Sequence, residues 1–169
     1  VGAGQMGTGI AQVCAGQAFG VELVDVDLGR AEAGKAALGG TLTKLVAKGR
    51  LAEAERDALL GRIRICSLED GVPRADFVIE AASEQYELKR GLFRRLDQLA
   101  PRHAILDSNT SSLSITKLAA ETSRPERIIG MHFMNPVPLM KLCEVIRALQ
   151  TSDEVAALTV ALAMKLEKT

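Results

Sequence analysis

Short apolar runs alternate along the chain with stripes of helical period, which is the pattern of successive βα units around a parallel sheet. Val1 reads as the stub of a first strand, and Met6 to Ala18 as a helix with Met6, Ile10 and Val13 on one face. Val21 to Val24 is a buried strand ending at Asp25. A long helix over Arg30 to Lys48 carries Leu38, Leu42, Leu45 and Val46; Gly49-Arg50 breaks it, and Leu51 to Leu60 resumes. That helical hairpin is longer than a crossover needs. Strands follow at Ile63 to Cys66 and, after the turn residues Gly71 and Pro73, at Phe77 to Glu80. Leu88, Leu92, Leu96 and Leu99 mark a helix from about Glu84 to Leu99, stopped by Pro101. Ala104 to Leu106 is a strand running into the polar loop Ser108-Asn109-Thr110-Ser111-Ser112. A short helix over Ile115 to Ala120, a strand over Ile128 to His132 and a further strand over Leu142 to Ile146 come next. Thr151 and Glu154 make a capping box for a last helix with Val155, Leu158, Leu162 and Leu166 on one face. No repeat or linker interrupts this, so residues 1–169 read as one doubly wound α/β domain.

Gly2-Ala3-Gly4-Gln5-Met6-Gly7 matches G-x-G-x-x-G between a strand stub and a helix. Glycines there allow a tight turn, close approach of backbone to a pyrophosphate, and close helix–strand packing. The new helix directs its unpaired N–H groups and positive dipole end at the phosphates. Asp25, 21 residues after Gly4, closes the second strand where an acid can bind the adenosine ribose hydroxyls. An Asp there repels a 2′-phosphate, so NAD is expected over NADP. Asp27 deepens that bias, and Arg30 is the one residue that could soften it. A glycine-rich turn beside an ordinary strand-end Asp is the plain structural alternative.

Composition narrows the partners. Twenty-one basic residues balance twenty-one acidic ones, and aromatics are 3%. Neither a basic field nor a stacking surface recommends nucleic acid. No apolar run is long enough for a membrane span. Cys14, Cys66 and Cys143 are isolated in apolar contexts; they suggest inert thiols in a reducing cytoplasm, with no disulfide framework or metal site. The chain opens on Val1 with the glycine turn immediately after it, so two or more preceding strand residues are expected.

In an open parallel sheet, ligands bind beyond the carboxyl ends of the strands. Asp25, Glu80-Ala81, the Ser108 to Ser112 loop and His132 all fall at such ends. Histidine suits proton exchange near neutral pH. Glu144 follows His132 by twelve residues, and a carboxylate on the other ring nitrogen would fix its tautomer. An ion pair of Glu144 with Lys141 is the structural alternative. His103, just after Pro101, reads as solvated.

Three stretches resemble the L-3-hydroxyacyl-CoA dehydrogenases: Gly2 to Gly7, Asn109-Thr110-Ser111-Ser112-Leu113-Ser114-Ile115, and Gly130 to Ile146. The resemblance spans essentially the whole chain. It implies that His132 is the general base for the 3-hydroxyl, that Glu144 orients it, and that Ser111 bonds the reacting oxygen or the thioester carbonyl. Asn135 would lie in the same pocket, touching cofactor and substrate. It further implies cofactor contacts from Glu84 and Lys89, and coenzyme A contacts from Thr41 and Lys48. Ignoring the resemblance, Glu84 and Lys89 read as helix-surface charges and Lys48 as a cation at a helix C-terminus.

Two departures bear on the expectation. Cys143 and Asp107 replace residues that are more usually aliphatic and small or neutral, respectively. Members of the family also continue into a helical domain that closes the cleft and forms a homodimer. The expected activity is therefore that of the parent protein: NAD-dependent oxidation of an (S)-3-hydroxyacyl-CoA. The alternatives are a related dehydrogenase of a sugar acid such as gulonate, and a noncatalytic NAD-binding module.

Overall fold

A computed structural model describes residues 1–169. The elements run in chain order as α1 (Gln5–Gly16), β1 (Val21–Val24), α2 (Leu28–Ala47), α3 (Glu53–Gly61) and β2 (Ile63–Cys66). Then come α4 (Leu68–Gly71), β3 (Phe77–Glu80), α5 (Tyr86–Leu99), β4 (Ile105–Ser108) and α6 (Ile115–Ala119). The chain finishes with β5 (Ile128–Phe133), β6 (Cys143–Arg147) and α7 (Asp153–Lys165).

β1 and β2 pair in parallel, and so do β3, β4 and β5; β6 returns antiparallel along β5. Val1 and Gly2 join the two groups. Val1 N donates to Ile79 O at 2.7 Å, Ala81 N to Val1 O at 2.8 Å, and Gly2 N to Val24 O at 2.7 Å. The layer thus reads β2-β1-stub-β3-β4-β5-β6, with the glycine turn at the point where strand order reverses. That is where an open α/β sheet forms its crevice.

Helices cover both faces. Phe93 and Leu96 of α5 and Leu118 of α6 pack on Val78, Leu106 and Ile128. Ile10 of α1 and Ala163 of α7 pack on Met131 and Phe133 of the opposite face. Each large apolar side chain buried this way contributes about 1.5–3 kcal/mol. The α2–α3 hairpin closes on β1 and β2 through Leu38, Leu42 and Leu59, packed with Leu23 and Ile63. Its turn uses Gly49 at φ +66, a conformation that favours glycine.

Four local expectations are corrected. The capping box at Thr151 does not form: that hydroxyl donates to Ile128 O at 2.6 Å and accepts from Ala148 N, so Ser152 caps α7 instead. The buried face of α7 is Val155, Thr159 and Ala163, and Leu158 is exposed. In α5 the buried stripe is Lys89, Phe93 and Leu96, with Leu88 outside. Gly71 ends α4, which Ser67 caps by accepting from Asp70 N, and Pro73 lies in the single 3-10 turn that follows.

Candidate active site

The glycine turn interlocks with its neighbours. Gly2 sits at φ +97, and a Cβ there would lie 2.6 Å from Ala81 O. A Cβ on Gly7 would lie 1.7 Å from Gly2 O. Gly4 instead faces open space, and as N-cap of α1 it offers no side-chain bond to the first N–H groups. Those orphan donors face outward, as a phosphate site requires. Asp25 Oδ2 accepts from Ala3 N at 2.8 Å, so the acid also braces the turn. Asp27 caps α2 by accepting from Gly29 N at 2.8 Å. Donor set, turn and strand-end acid fit a dinucleotide.

A second set gathers at the ends of β3 and β4. Glu80 is fully buried and accepts from Lys89 Nζ at 2.6 and 2.9 Å, Ala82 N at 2.6 Å and Ser108 Oγ at 2.6 Å. Lys89, 1% exposed, also donates to Ala82 O at 3.2 Å. Glu84 lies in the loop before α5, not on the helix, because Gln85 is extended and α5 begins at Tyr86. Glu84 Oε1 accepts from Thr110 Oγ1, from Ser111 N at 3.1 Å and from Ser112 Oγ at 3.3 Å. Its Oε2 lies 3.4 Å from Lys89 Nζ. Burial alone would raise this carboxyl, but the Thr110 hydroxyl and the Lys89 charge hold it below its ordinary value. The Ser111 hydroxyl makes no hydrogen bond within the chain and is exposed.

The third set rests on the β5–β6 ladder, where His132 stands opposite Glu144. His132 Nδ1 and Glu144 Oε2 are 2.8 Å apart, and Lys141 takes no part. The carboxylate makes Nδ1 the protonated nitrogen and leaves Nε2 as the free acceptor. Asn109 Oδ1 accepts from Phe133 N at 2.9 Å, tying the β4 loop to the end of β5. Asn135 is exposed just beyond Phe133. Beneath that loop, Lys168 Nζ donates to Val137 O at 2.6 Å and Met140 O at 2.8 Å.

Not every expected residue joins this crevice. Thr41 and Lys48 lie exposed on the α2–α3 hairpin, and the Thr41 hydroxyl turns back to Ala37 O at 3.1 Å. His103 is exposed at the opposite end of the sheet and pairs with Asp76 at 2.9 Å. The thiols are raised by burial, Cys14 and Cys143 to about 12 and Cys66 to about 11, consistent with inert cysteines. The sequence places Glu80, Ser108 and Asn109 at the ligand-binding strand ends without giving them partners, and it carries no signal for Lys168. No helix is long and apolar enough to cross a membrane, and no acidic or thiol cluster could hold a metal.

Asp107 is the anomaly. It is fully buried in β4, and neither carboxylate oxygen has a hydrogen-bond partner. Burial, reinforced by the charge of Glu80, pushes its carboxyl well above the ordinary range. An acid raised in the folded state stabilises below its unfolded value; that stability is lost as pH climbs toward the folded value. Asp107→Asn mimics the protonated acid. It should match the parent in mild acid and be more stable by about 1–3 kcal/mol at neutral pH and above. Urea denaturation across pH checks this; a stability difference independent of pH would sink it.

The family model "3-hydroxyacyl-CoA dehydrogenase, NAD binding domain" matches residues 1–169. The chain is 51% identical over 168 residues to a probable 3-hydroxybutyryl-CoA dehydrogenase of Bacillus subtilis, covering 99% of this chain and 58% of that protein. It is 47% identical to the corresponding probable enzyme of Deinococcus radiodurans, covering 100% and 60%. The crystal structure of (S)-3-hydroxybutyryl-CoA dehydrogenase from Ralstonia eutropha superposes with a TM-score of 0.96 at 47% identity, covering 99% of this chain and 59% of that one. This chain therefore spans less than two thirds of these relatives. With the match unbroken from end to end, the chain belongs to the 3-hydroxyacyl-CoA dehydrogenase family and is its NAD-binding domain.

Proposed function

We propose that the protein carrying this domain reversibly oxidises an (S)-3-hydroxyacyl-CoA, such as 3-hydroxybutyryl-CoA, to the 3-oxoacyl-CoA. The observation that carries the reading is the His132–Glu144 pair at 2.8 Å, which leaves Nε2 free to accept a proton. NAD, when bound, supplies the hydride acceptor. His132 takes the proton of the 3-hydroxyl at Nε2. Glu144 accepts from Nδ1 and stabilises the imidazolium that results. Ser111 offers its hydroxyl to the reacting oxygen, and Asn135 extends the same pocket. Gly2, Ala3, Gly4, Gln5, Met6 and Gly7 hold the pyrophosphate with the first turn of α1, while Asp25 holds the adenosine ribose.

Thr41 lies in α2 and Lys48 is its C-cap, seven residues on and close to two helical turns, so both fall near one side of the helix's C-terminal end. That side would take coenzyme A, with Lys48 near its phosphates. The sugar-acid alternative draws no support from relatives named as 3-hydroxybutyryl-CoA dehydrogenases. Free, inert thiols fit a cytoplasmic protein, and a homodimer is the assembly the family resemblance favours.

Two measurements test the reading. NADH consumption with acetoacetyl-CoA, in the protein at its full natural length, should be rapid; activity with gulonate alone would overturn the substrate class. Asp25→Ala should raise the Kd for NAD by about tenfold, a loss of about 1.4 kcal/mol, and raise that for NADP less. Both lose the brace on Ala3, but only NAD loses the selective partner. An unchanged NAD/NADP ratio would remove Asp25 from ribose recognition.

A further inference from the structure

β4 and β5 stop at different heights. β4 ends at Ser108, and the last rung it shares with β5 joins Ser108 to Gly130. β5 runs three residues further, through Met131 and His132 to Phe133. A strand that outruns its neighbour leaves backbone donors on that edge without a ladder partner, and each then needs another acceptor. Asn109 supplies one. Its backbone N still donates to Glu80 O at 2.8 Å, continuing the link to β3. Its side chain turns the other way, and Oδ1 accepts from Phe133 N at 2.9 Å.

That bond has a particular place in the crevice. Phe133 directly follows His132, and Asn109 stands two residues before Ser111. The far side of β5 is already fixed, since His132 and Phe133 stand opposite Glu144 and Cys143. The serine loop is closed on itself, with Thr110 Oγ1 accepting from Ser112 N at 3.3 Å and Leu113 N at 3.0 Å. Between that loop and β5, the Asn109 side chain makes the one hydrogen bond. The spacing of the Ser111 hydroxyl from His132 Nε2 is therefore set across a single amide oxygen.

We propose that Asn109 is a positioning residue that sets Ser111 against His132. The proposal rests on the reading of His132 as the base and Ser111 as the hydroxyl that meets the same reacting oxygen. The Asn109 amide oxygen stands in for the next rung of β4. β4 can then turn away into the serine loop while β5 carries His132 onward, and the two stay in register. Two groups that must converge on one atom tolerate little error, since a misplacement of about 1 Å can cost about a hundredfold in rate.

The test compares Asn109→Leu, which keeps the shape and removes the acceptor, with Asn109→Asp, which keeps an acceptor at the same reach. Both are made in the protein at its full natural length. Amide exchange at Phe133 should accelerate by about tenfold in Asn109→Leu and stay near the parent rate in Asn109→Asp, with Leu106 in β4 protected in both. In Asn109→Leu, kcat for acetoacetyl-CoA reduction should fall by about 10- to 100-fold with KM little changed, and Asn109→Asp should recover most of that loss. NADH binding should hold within about threefold in each. Adding Asn109→Leu to Ser111→Ala should cost little beyond Ser111→Ala alone, because a hydroxyl that has been removed cannot be misplaced. Should Asn109→Leu not fold, Asn109→Ser, too short to reach Phe133 N, replaces it with the same expected results. Parent-like Phe133 exchange in Asn109→Leu, equal losses in the Leu and Asp variants, or additive losses with Ser111→Ala would each overturn the role of Asn109. Parent-like turnover in Ser111→Ala would instead overturn the reading of Ser111, and the proposal with it.

Discussion

Replacing His132 by glutamine is expected to lower kcat by about 10²- to 10⁴-fold while NADH binds as before. Glutamine fills a similar volume and can still hydrogen-bond Glu144, so the β5–β6 ladder, where residue 132 stands opposite Glu144, should survive. What it cannot do is accept a proton and carry the charge. The Nδ1–Glu144 contact at 2.8 Å fixes the tautomer with Nε2 as acceptor, and that state is lost altogether. On the proposed reading the cofactor would rest on the glycine turn and Asp25, which His132 does not touch. Fluorescence titration with NADH and steady-state reduction of acetoacetyl-CoA separate the two quantities. Wild-type turnover in His132→Gln would remove this residue from the chemistry. A parallel loss of NADH affinity would instead mark a collapsed crevice.

Much of this crevice could be read from residue order, because its parts fall at strand ends and strand ends are marked by where apolar runs stop. Val24 to Asp25 and Ile79 to Glu80 are each such a junction, and His132 is the one polar residue near the end of β5. The pairing of His132 with Glu144 is also local, since the two strands are consecutive and their register brings them face to face. Sequence and structure part where a polar side chain is claimed by a partner distant in sequence. Thr151 reads as a helix cap until Ile128 O, 23 residues away, takes its hydroxyl. Lys89 reads as a surface charge until Glu80 draws it into the stripe with Phe93 and Leu96. The spacing of those three positions is helical, but a lysine is not counted as apolar, so the leucines one position earlier took its place. Lys168, on which the sequence offers no reading, is likewise claimed from afar, its ammonium lowered chiefly by burial and held by two loop carbonyls.

The same distant claims cross-link the parts of the crevice. Phe133 N bonds Asn109, Ser108 bonds Glu80, and Ala3 N bonds Asp25. Each link ties the residue after one strand to a neighbour at the end of another. A buried hydrogen bond that loses one partner costs about 1–3 kcal/mol, so these ties resist independent movement of the loops.

Gly7→Ala should have the largest effect on cofactor binding. Its new Cβ would fall 1.7 Å from Gly2 O and 2.8 Å from the Gly2 carbonyl carbon, both backbone atoms that cannot rotate away. Either α1 tilts off the sheet or the turn opens. The turn is itself pinned, since Gly2 at φ +97 already sits against Ala81 O. Relief must come from α1, and its tilt redirects the N–H groups that would hold the pyrophosphate. About 3 kcal/mol of stability, or about 10 °C in Tm, should be lost, and NADH affinity should fall by about a hundredfold. Gly4→Ala provides the contrast. Its Cβ meets nothing within 4 Å in the free protein, so folding and Tm should be unchanged. Affinity should still fall, because the methyl group would stand between the backbone and the pyrophosphate. Calorimetry and NADH titration on both variants separate packing from binding. If Gly4→Ala bound NADH as tightly as the parent, the dinucleotide would not lie across this turn.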